Sequence, residues 1–392
     1  MRGASYRWVI LAVATFSQAA AGFFVQGLGA LGVQLQRDLG VNATQLGLLI
    51  SAAQLAPLLG LLAAGELLDR FDERWVVGAG AGVVGCALIA GTFAPGYAVL
   101  LIVLFVVGAG YSTVQPGGSK SVASWFQASQ RGMAMGVRQA GLPLGAALAS
   151  ATLPAVGLAF GWRATLTVGG LVALAGAAAF VILYRRPPGP AAKPVQATGT
   201  RLVLLADPVL RRALLSGVSL VSVQSGLGLL TVLHLHEVAA LSPGRAALIL
   251  VAAQGAGVAG RILLAALSDR ARASRQGVVT GSLIAVVAAL ALLVTPLGGS
   301  PVAASVVFVW LGFFGIGWYG PWVTLVTEAA PAGRTGFALG LAMAVNQVAV
   351  VLVPPLLGLL RDVTGGFAAS WVLLIAMTGV ALAVALRPAP GR

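Results

Sequence analysis

Acidic residues are scarce: ten Asp and Glu in 392 residues, against 24 Lys and Arg, so only 9% of the chain is charged. A water-soluble domain carries about 25%. Cysteine is nearly absent as well. Cys86 stands alone in an apolar run, which excludes a disulfide within the chain and leaves it a small packed residue. There are two histidines, His234 and His236, and no HExxH motif, serine–histidine arrangement or metal-ligand cluster accompanies them. That removes a membrane-embedded hydrolase, a resident metal and any evident cofactor. The first apolar run (about 8–33) is expected to be the first span and not a cleavable leader, because it is too long and has no small-residue cleavage site at its end. Nor are there the short alternating segments of an outer-membrane barrel, or loops long enough to hold a soluble signalling domain.

What is abundant is apolar length. Hydrophobic residues make up 59% of the chain, with a mean hydropathy of +0.97. A bilayer-spanning helix needs about 20 such residues. Breaking the chain at charges, prolines and glycine clusters gives twelve predicted spans: 8–34, 43–68, 75–94, 97–126, 131–159, 163–184, 209–238, 243–267, 276–295, 300–328, 335–360 and 367–386. Between the sixth and seventh lies RRPPGPAAKPVQATGTR, whose prolines and basic residues suit a linker. The expected organisation is a six-helix bundle over 1–184, a linker at 185–208 and a second bundle over 209–392. With both termini cytoplasmic, 17 Lys and Arg fall on the inner side and four (Arg37, Arg163, Arg245, Arg361) on the outer. This bias accounts for much of the net charge of +14 without nucleic acid. It places the chain, expected as a monomer, in a bacterial-type inner membrane.

The two halves repeat. At an offset of 200, Ala52, Ala53, Gln54, Gly60, Leu67, Asp69 and Arg70 meet Ala252, Ala253, Gln254, Gly260, Leu267, Asp269 and Arg270. GAGYS (108–112) aligns with GIGWY (315–319), pairing Tyr111 with Trp318, and Gln18 pairs with Gln224. Parallel repeats of six spans are a transporter plan. GELLDRFDERW (65–75) resembles the signature loop of the major facilitator superfamily, and SDRARASR (268–275) resembles its weaker second copy. The chain departs in having Asp72 where the family usually has glycine. The resemblance covers the whole chain and implies an all-α membrane protein of twelve transmembrane helices in two pseudo-symmetric six-helix bundles. It also implies a gating role for Asp69, Arg70 and Arg74, and for Asp269 and Arg270 in the second copy.

All ten acids lie near predicted helix ends or in loops, whereas three cations, Lys120, Arg138 and Arg261, lie within spans. An arginine at a span centre costs about 2.5–3.5 kcal/mol on insertion scales. The repeat places Leu61 opposite Arg261, so the fold itself accepts an apolar residue there. Arg261 is eight residues from Asp269, about 12 Å at 1.5 Å per residue. Arg138 is seven residues from Arg131, about 10 Å from the same side. Two guanidinium groups in opposite halves, with no nearby acid, suit an anion, and a carboxylate in particular. Gln254 lies two turns before Arg261, and Gln18, Gln224, Asn346, Tyr111, Trp318, Tyr319 and Lys120 are further candidates for lining the site. His234, near the outer end of its span, reads as interfacial.

The Arg261–Asp269 spacing resembles that of monocarboxylate and oxalate transporters within the superfamily, where the eighth helix carries a substrate-binding arginine. Here Gly257 stands where monocarboxylate transporters have an aspartate, the first span has no lysine, and AVNQV (344–348) stands where the oxalate exchanger has one. VRQAGLPLG (137–145) resembles the fifth helix of bacterial facilitators grouped with anion carriers. The reading is a secondary active transporter of a small organic anion, by exchange or with a proton. The alternative is an exporter of drugs or other hydrophobic compounds, which GLPLG (141–145) weakly resembles; cation exporters usually need a membrane-embedded acid.

Overall fold

The computed structural model describes residues 2–186, 208–268, 275–329 and 335–387, and among these there are helices and no strand. Helices close their backbone hydrogen bonds internally, as lipid demands. The first span is Arg2–Gly27, a 3-10 turn Leu28–Leu31 and Gly32–Leu39. The next five are Ala43–Arg70, Glu73–Gly91, Tyr97–Trp125, Ala128–Phe160 and Trp162–Leu183. The second half holds Pro208–Glu237, Pro243–Ser268, Arg275–Leu293, a tenth span in two pieces (Pro301–Gly317 and Tyr319–Ala329), Thr335–Thr364 and Ala368–Ala385. Eleven spans are long and apolar enough to cross a bilayer; the second, with the apolar stretch Ala43–Leu58, completes the twelve. Most of the expected linker, 187–207, lies outside the described residues, as do Asp269 and Arg270.

Local chemistry sets the boundaries. Gly40 turns into the left-handed region (φ 65°) and stops the first span. Asn42 then starts the second with a capping box, accepting from the Gln45 N–H while the Gln45 side chain takes its own N–H. Asp72 caps the third span by accepting from the Arg74 N–H at 2.8 Å. Two boundaries differ from expectation. The first span runs on to Leu39 through its 3-10 turn. The tenth breaks at Trp318, three residues before Pro321, whose ring nitrogen has no hydrogen to give the helix.

The repeat is visible in packing. Gly108 of the fourth span lies against the Ala53 carbonyl, and Gly312 of the tenth against the Ala253 carbonyl; a Cβ at either glycine would stand 2.1 Å from that oxygen. These equivalent contacts set the fourth and tenth spans at an offset of 204. Tyr111 therefore matches Gly315, and the pairing of Tyr111 with Trp318 is corrected by nearly one turn. The sequence likeness of the GxGxx segments had slid along the helix, whereas backbone contact fixes the register.

Between described residues, the hydrogen bonds that join the two halves run from the side opposite the 71–72 turn to mid-membrane. Asp362 of the eleventh span accepts from the Ala43 and Thr44 N–H groups (3.2 and 2.7 Å) and the Thr44 hydroxyl (2.6 Å) at the start of the second span. Ser51 donates to the Val351 carbonyl, and Gln347 to the Gln54 carbonyl at 3.0 Å. Arg361 binds Glu237 (2.5 Å) and Asp362 (3.1 Å) beside this seam. His234 is structural: Trp371 Nε1 donates to its Nδ1 at 3.2 Å, and its Nε2 meets the Gly298 carbonyl at 3.0 Å. Phe308, Phe367 and Trp371 surround its ring.

Candidate functional site

Arg138 sits on the fifth span and is fully buried. Its guanidinium lies on the fourth span, beside Gly117 and Gly118, which follow Pro116 within the helix. A Cβ at Gly118 would stand 2.8 Å from Nη2 and 2.9 Å from Nε, so the glycine makes the room. Nη2 donates to the Gln115 carbonyl at 2.6 Å, while Nε and Nη1 have no hydrogen-bond partner. Overpacking a filled site costs about 1–3 kcal/mol. Gly118→Ala is therefore expected to displace the guanidinium and weaken anion binding by about ten-fold, with the helical content retained. Titration of the purified variant, with circular dichroism alongside, checks this.

Arg261 reaches the same region from the eighth span. Gly260 and Gly317 bring the eighth and tenth spans into backbone contact, which sets Arg261 at the break of the tenth. Its Nε donates to the Ile316 carbonyl at 3.2 Å, just before the break. Its Nη1 crosses to the other half and donates to the Gln139 carbonyl at 2.7 Å, one residue beyond Arg138. Its guanidinium carbon stands 5.3 Å from the centre of the Tyr319 ring, a cation–π contact.

Two tyrosines complete the centre. Tyr111 and Tyr319 each lie within electrostatic reach of both arginines. The Tyr111 hydroxyl is beside Gln18, and that of Tyr319 is beside Gln139. Gln18 Nε2 donates to Gln139 Oε1 at 3.2 Å, which joins the first and fifth spans. A small recess lined by Gly22, Gln26, Gln54, Gly108 and Tyr111 adjoins the Tyr111 ring. Trp318 is buried against Tyr319 and Trp322, with centroids 5.6 and 5.2 Å away.

The structure thus gathers Arg138, Arg261, Tyr111, Tyr319, Gln18 and Trp318 around one locus. Asn346 and Gln254 are buried within their spans, and Gln224 is half-buried on the seventh. Lys120 lies apart from this locus, ion-paired with Glu73 at 3.2 Å and hydrogen-bonded to the Leu68 carbonyl, a reach its long stem allows. Lys120→Met is expected to leave anion affinity within about two-fold, since an exposed ion pair contributes little. The same titration measures this. Gln139 is the site residue that the sequence reading missed. The available signal was its place beside Arg138, one helical step around the fifth span.

The signature loop is stitched within its own half. Asp72 pairs with Arg186 at 2.7 Å, and Glu73 takes both Lys120 and the Tyr184 hydroxyl. Burial, then the Glu73 charge, raise the pKa of Tyr184 above its ordinary value. Arg74 Nε donates to the Val181 carbonyl and the guanidinium stacks on Trp75. Arg70 is exposed at the end of the second span, and the Asp69 side chain lies outside what is described.

The sequence profile of the Major Facilitator Superfamily matches residues 11–354. An uncharacterized MFS-type transporter of Mycobacterium tuberculosis (strain ATCC 25618 / H37Rv) is 30% identical over 152 residues, 39% of this chain and 34% of that protein. The probable L-galactonate transporter of Escherichia coli (strain K12) is 28% identical over 158 residues, 40% of this chain and 35% of that protein. These matches span about a third of the relatives' lengths. Among solved structures, a bacterial homolog of the human lysosomal transporter Spinster, inward-facing and occupied, superposes with a TM-score of 0.80 at 16% identity, over 98% of this chain and 99% of that one. That likeness is one of fold.

Proposed function

The chain belongs to the Major Facilitator Superfamily, which makes it a membrane transporter and not an enzyme, and on that premise we propose that it carries a small organic anion, a carboxylate, by alternating access. One observation carries the reading. Arg138 and Arg261, from opposite halves, meet the same two tyrosines in the membrane interior, and Arg138 keeps two buried N–H donors without partners. A buried cation with unmet donors is costly and calls for a negative partner. The E. coli relative's name, a galactonate transporter, supports an acidic substrate.

In this reading, the Arg261 bond to the Gln139 carbonyl ties the halves at the site, and the two guanidinium charges beside it call for a counter-charge. The anion neutralises them and lets the two bundles, 1–184 and 209–392, rock around it, with the 71–72 turn and the linker on the cytoplasmic side of an inner membrane. The ten acids lie near predicted helix ends or in loops, so the anion either exchanges for another or enters with a proton. Counterflow in proteoliposomes tests this. Vesicles loaded with an unlabelled carboxylate should accumulate the labelled one, and failure across a panel of carboxylates, alongside accumulation of an uncharged hydrophobic compound, would overturn the reading.

A further inference from the structure

Arg261 is held by two carbonyls, and one of them is available for a reason. In a helix the Gln139 carbonyl would accept the N–H of residue 143, one turn on. That residue is Pro143, buried within the continuous helix Ala128–Phe160, and it has no N–H to give. A carbonyl left unserved inside a membrane must find a donor within the protein. This one finds Arg261 Nη1 at 2.7 Å, from the other half.

The same arrangement recurs nearer the outer seam. Ser51 Oγ donates at 2.5 Å to the Val351 carbonyl, which stands four residues before Pro355. Among the described residues, three helix carbonyls accept side-chain donors across the halves: Gln139, Val351 and Gln54. Two of the three are opened by a proline, so the prolines mark where the halves dock. Around Pro143 the fifth span is seated on the first through glycines. A Cβ at Gly141 would stand 2.8 Å from Thr15 Cγ2, and one at Gly145 2.7 Å from the Ala19 carbonyl oxygen. That seat does not depend on residue 143, so a substitution there changes the partner of the Gln139 carbonyl and leaves the helix in place.

We propose that Pro143 is a positioning residue for the anion site: by denying the Gln139 carbonyl a helical N–H, it fixes the Arg261 guanidinium across the two halves. With Nε on the Ile316 carbonyl at 3.2 Å and Nη1 on that of Gln139, the guanidinium plane is set and Nη2 is left to the substrate. The proposal rests on the anion reading above and adds the residue that aims one of its two arginines. Pro143 itself touches no substrate and acts through the carbonyl.

Thermal unfolding and titration of the purified full-length protein test this, with Pro143→Ala made both in the parent and in Arg261→Leu. In Arg261→Leu the Gln139 carbonyl has lost its donor, and the new N–H meets it. Pro143→Ala should therefore raise the melting temperature of Arg261→Leu by at least about 2 °C more than it changes that of the parent. A gain from helix propensity alone would be equal in the two. Pro143→Gly supplies the same N–H on a more flexible backbone and should show the same difference between backgrounds, so either variant decides the matter if the other does not fold. The anion probe is whichever of gluconate, glucarate and benzoate binds the parent most tightly. Its affinity should fall by about ten-fold in Pro143→Ala, the lower end for a hydrogen bond to charge, and should fall no further when Pro143→Ala is added to Arg261→Leu. Equal temperature shifts in both backgrounds, or parent-like affinity in Pro143→Ala, would overturn the proposal while the anion reading stands on the parent's binding. If none of the acids binds the parent, the anion reading fails and the proposal fails with it.

Discussion

Arg261→Leu is expected to weaken binding of the transported anion by roughly ten- to a hundred-fold, because hydrogen bonds to charged groups are worth about 1.5–3 kcal/mol. Arg138→Leu should lose affinity over the same range. The two variants should differ in stability. Arg261 donates to the carbonyls of Ile316 and Gln139, so its loss leaves two buried acceptors unmet and loosens the join between halves. Arg138 keeps two of its own donors unmet, so its removal also relieves a cost. Arg261→Lys should rescue binding only in part, since an ammonium cannot reach both carbonyls and the anion with a planar fork. Titration of folded, monodisperse variants is the measurement. Parent-like affinity in both leucine variants would make the arginines structural.

Asp362→Ala is expected to shift the carrier toward opening on the side opposite the signature loop by about ten- to a hundred-fold, on the same scale for hydrogen bonds to charge. The carboxylate accepts from two backbone N–H groups and a hydroxyl at the start of the second span, across the seam between halves. It sits where the helix dipole favours negative charge. Its neighbour Arg361 would keep Glu237, which belongs to the same half, and so would not hold the seam. Spin labels at Phe93→Cys and Val363→Cys, both highly exposed and in opposite halves, report the opening in a Cys86→Ala background. The variant should enrich the longer distance. An unchanged distribution would remove Asp362 from the gate.

The spans were legible because apolar length and charge breaks are physical requirements of the bilayer, and twelve helices stand close to where those breaks put them. The break at Trp318 was not, because Pro321 marks where a helix can fail but not whether neighbouring packing will let it. The depth of Arg138 and Arg261 could be counted in residues, and the structure brings both to Tyr111 and Tyr319. Lys120 stands close enough to the end of its span that either side was open from counting alone, and its four methylenes carry the ammonium to Glu73. Gln139 escaped notice because half of its role belongs to its backbone carbonyl, whose only sequence signal is Pro143 four residues on, with no N–H to give it. Tyr111 was matched to the wrong partner because short glycine-aromatic segments resemble one another at more than one helical register.

Thermal unfolding of the purified protein against carboxylates, inorganic anions and uncharged hydrophobic drugs puts the anion site to the test in one experiment. A ligand that binds only the folded state stabilises it by RT ln(1 + [L]/Kd), about 2.7 kcal/mol at a hundred times Kd. The expected result is a rise in melting temperature with a subset of carboxylates, lost in Arg138→Leu and Arg261→Leu. Stabilisation by uncharged drugs alone, retained in both variants, would contradict an anion site built from the two arginines.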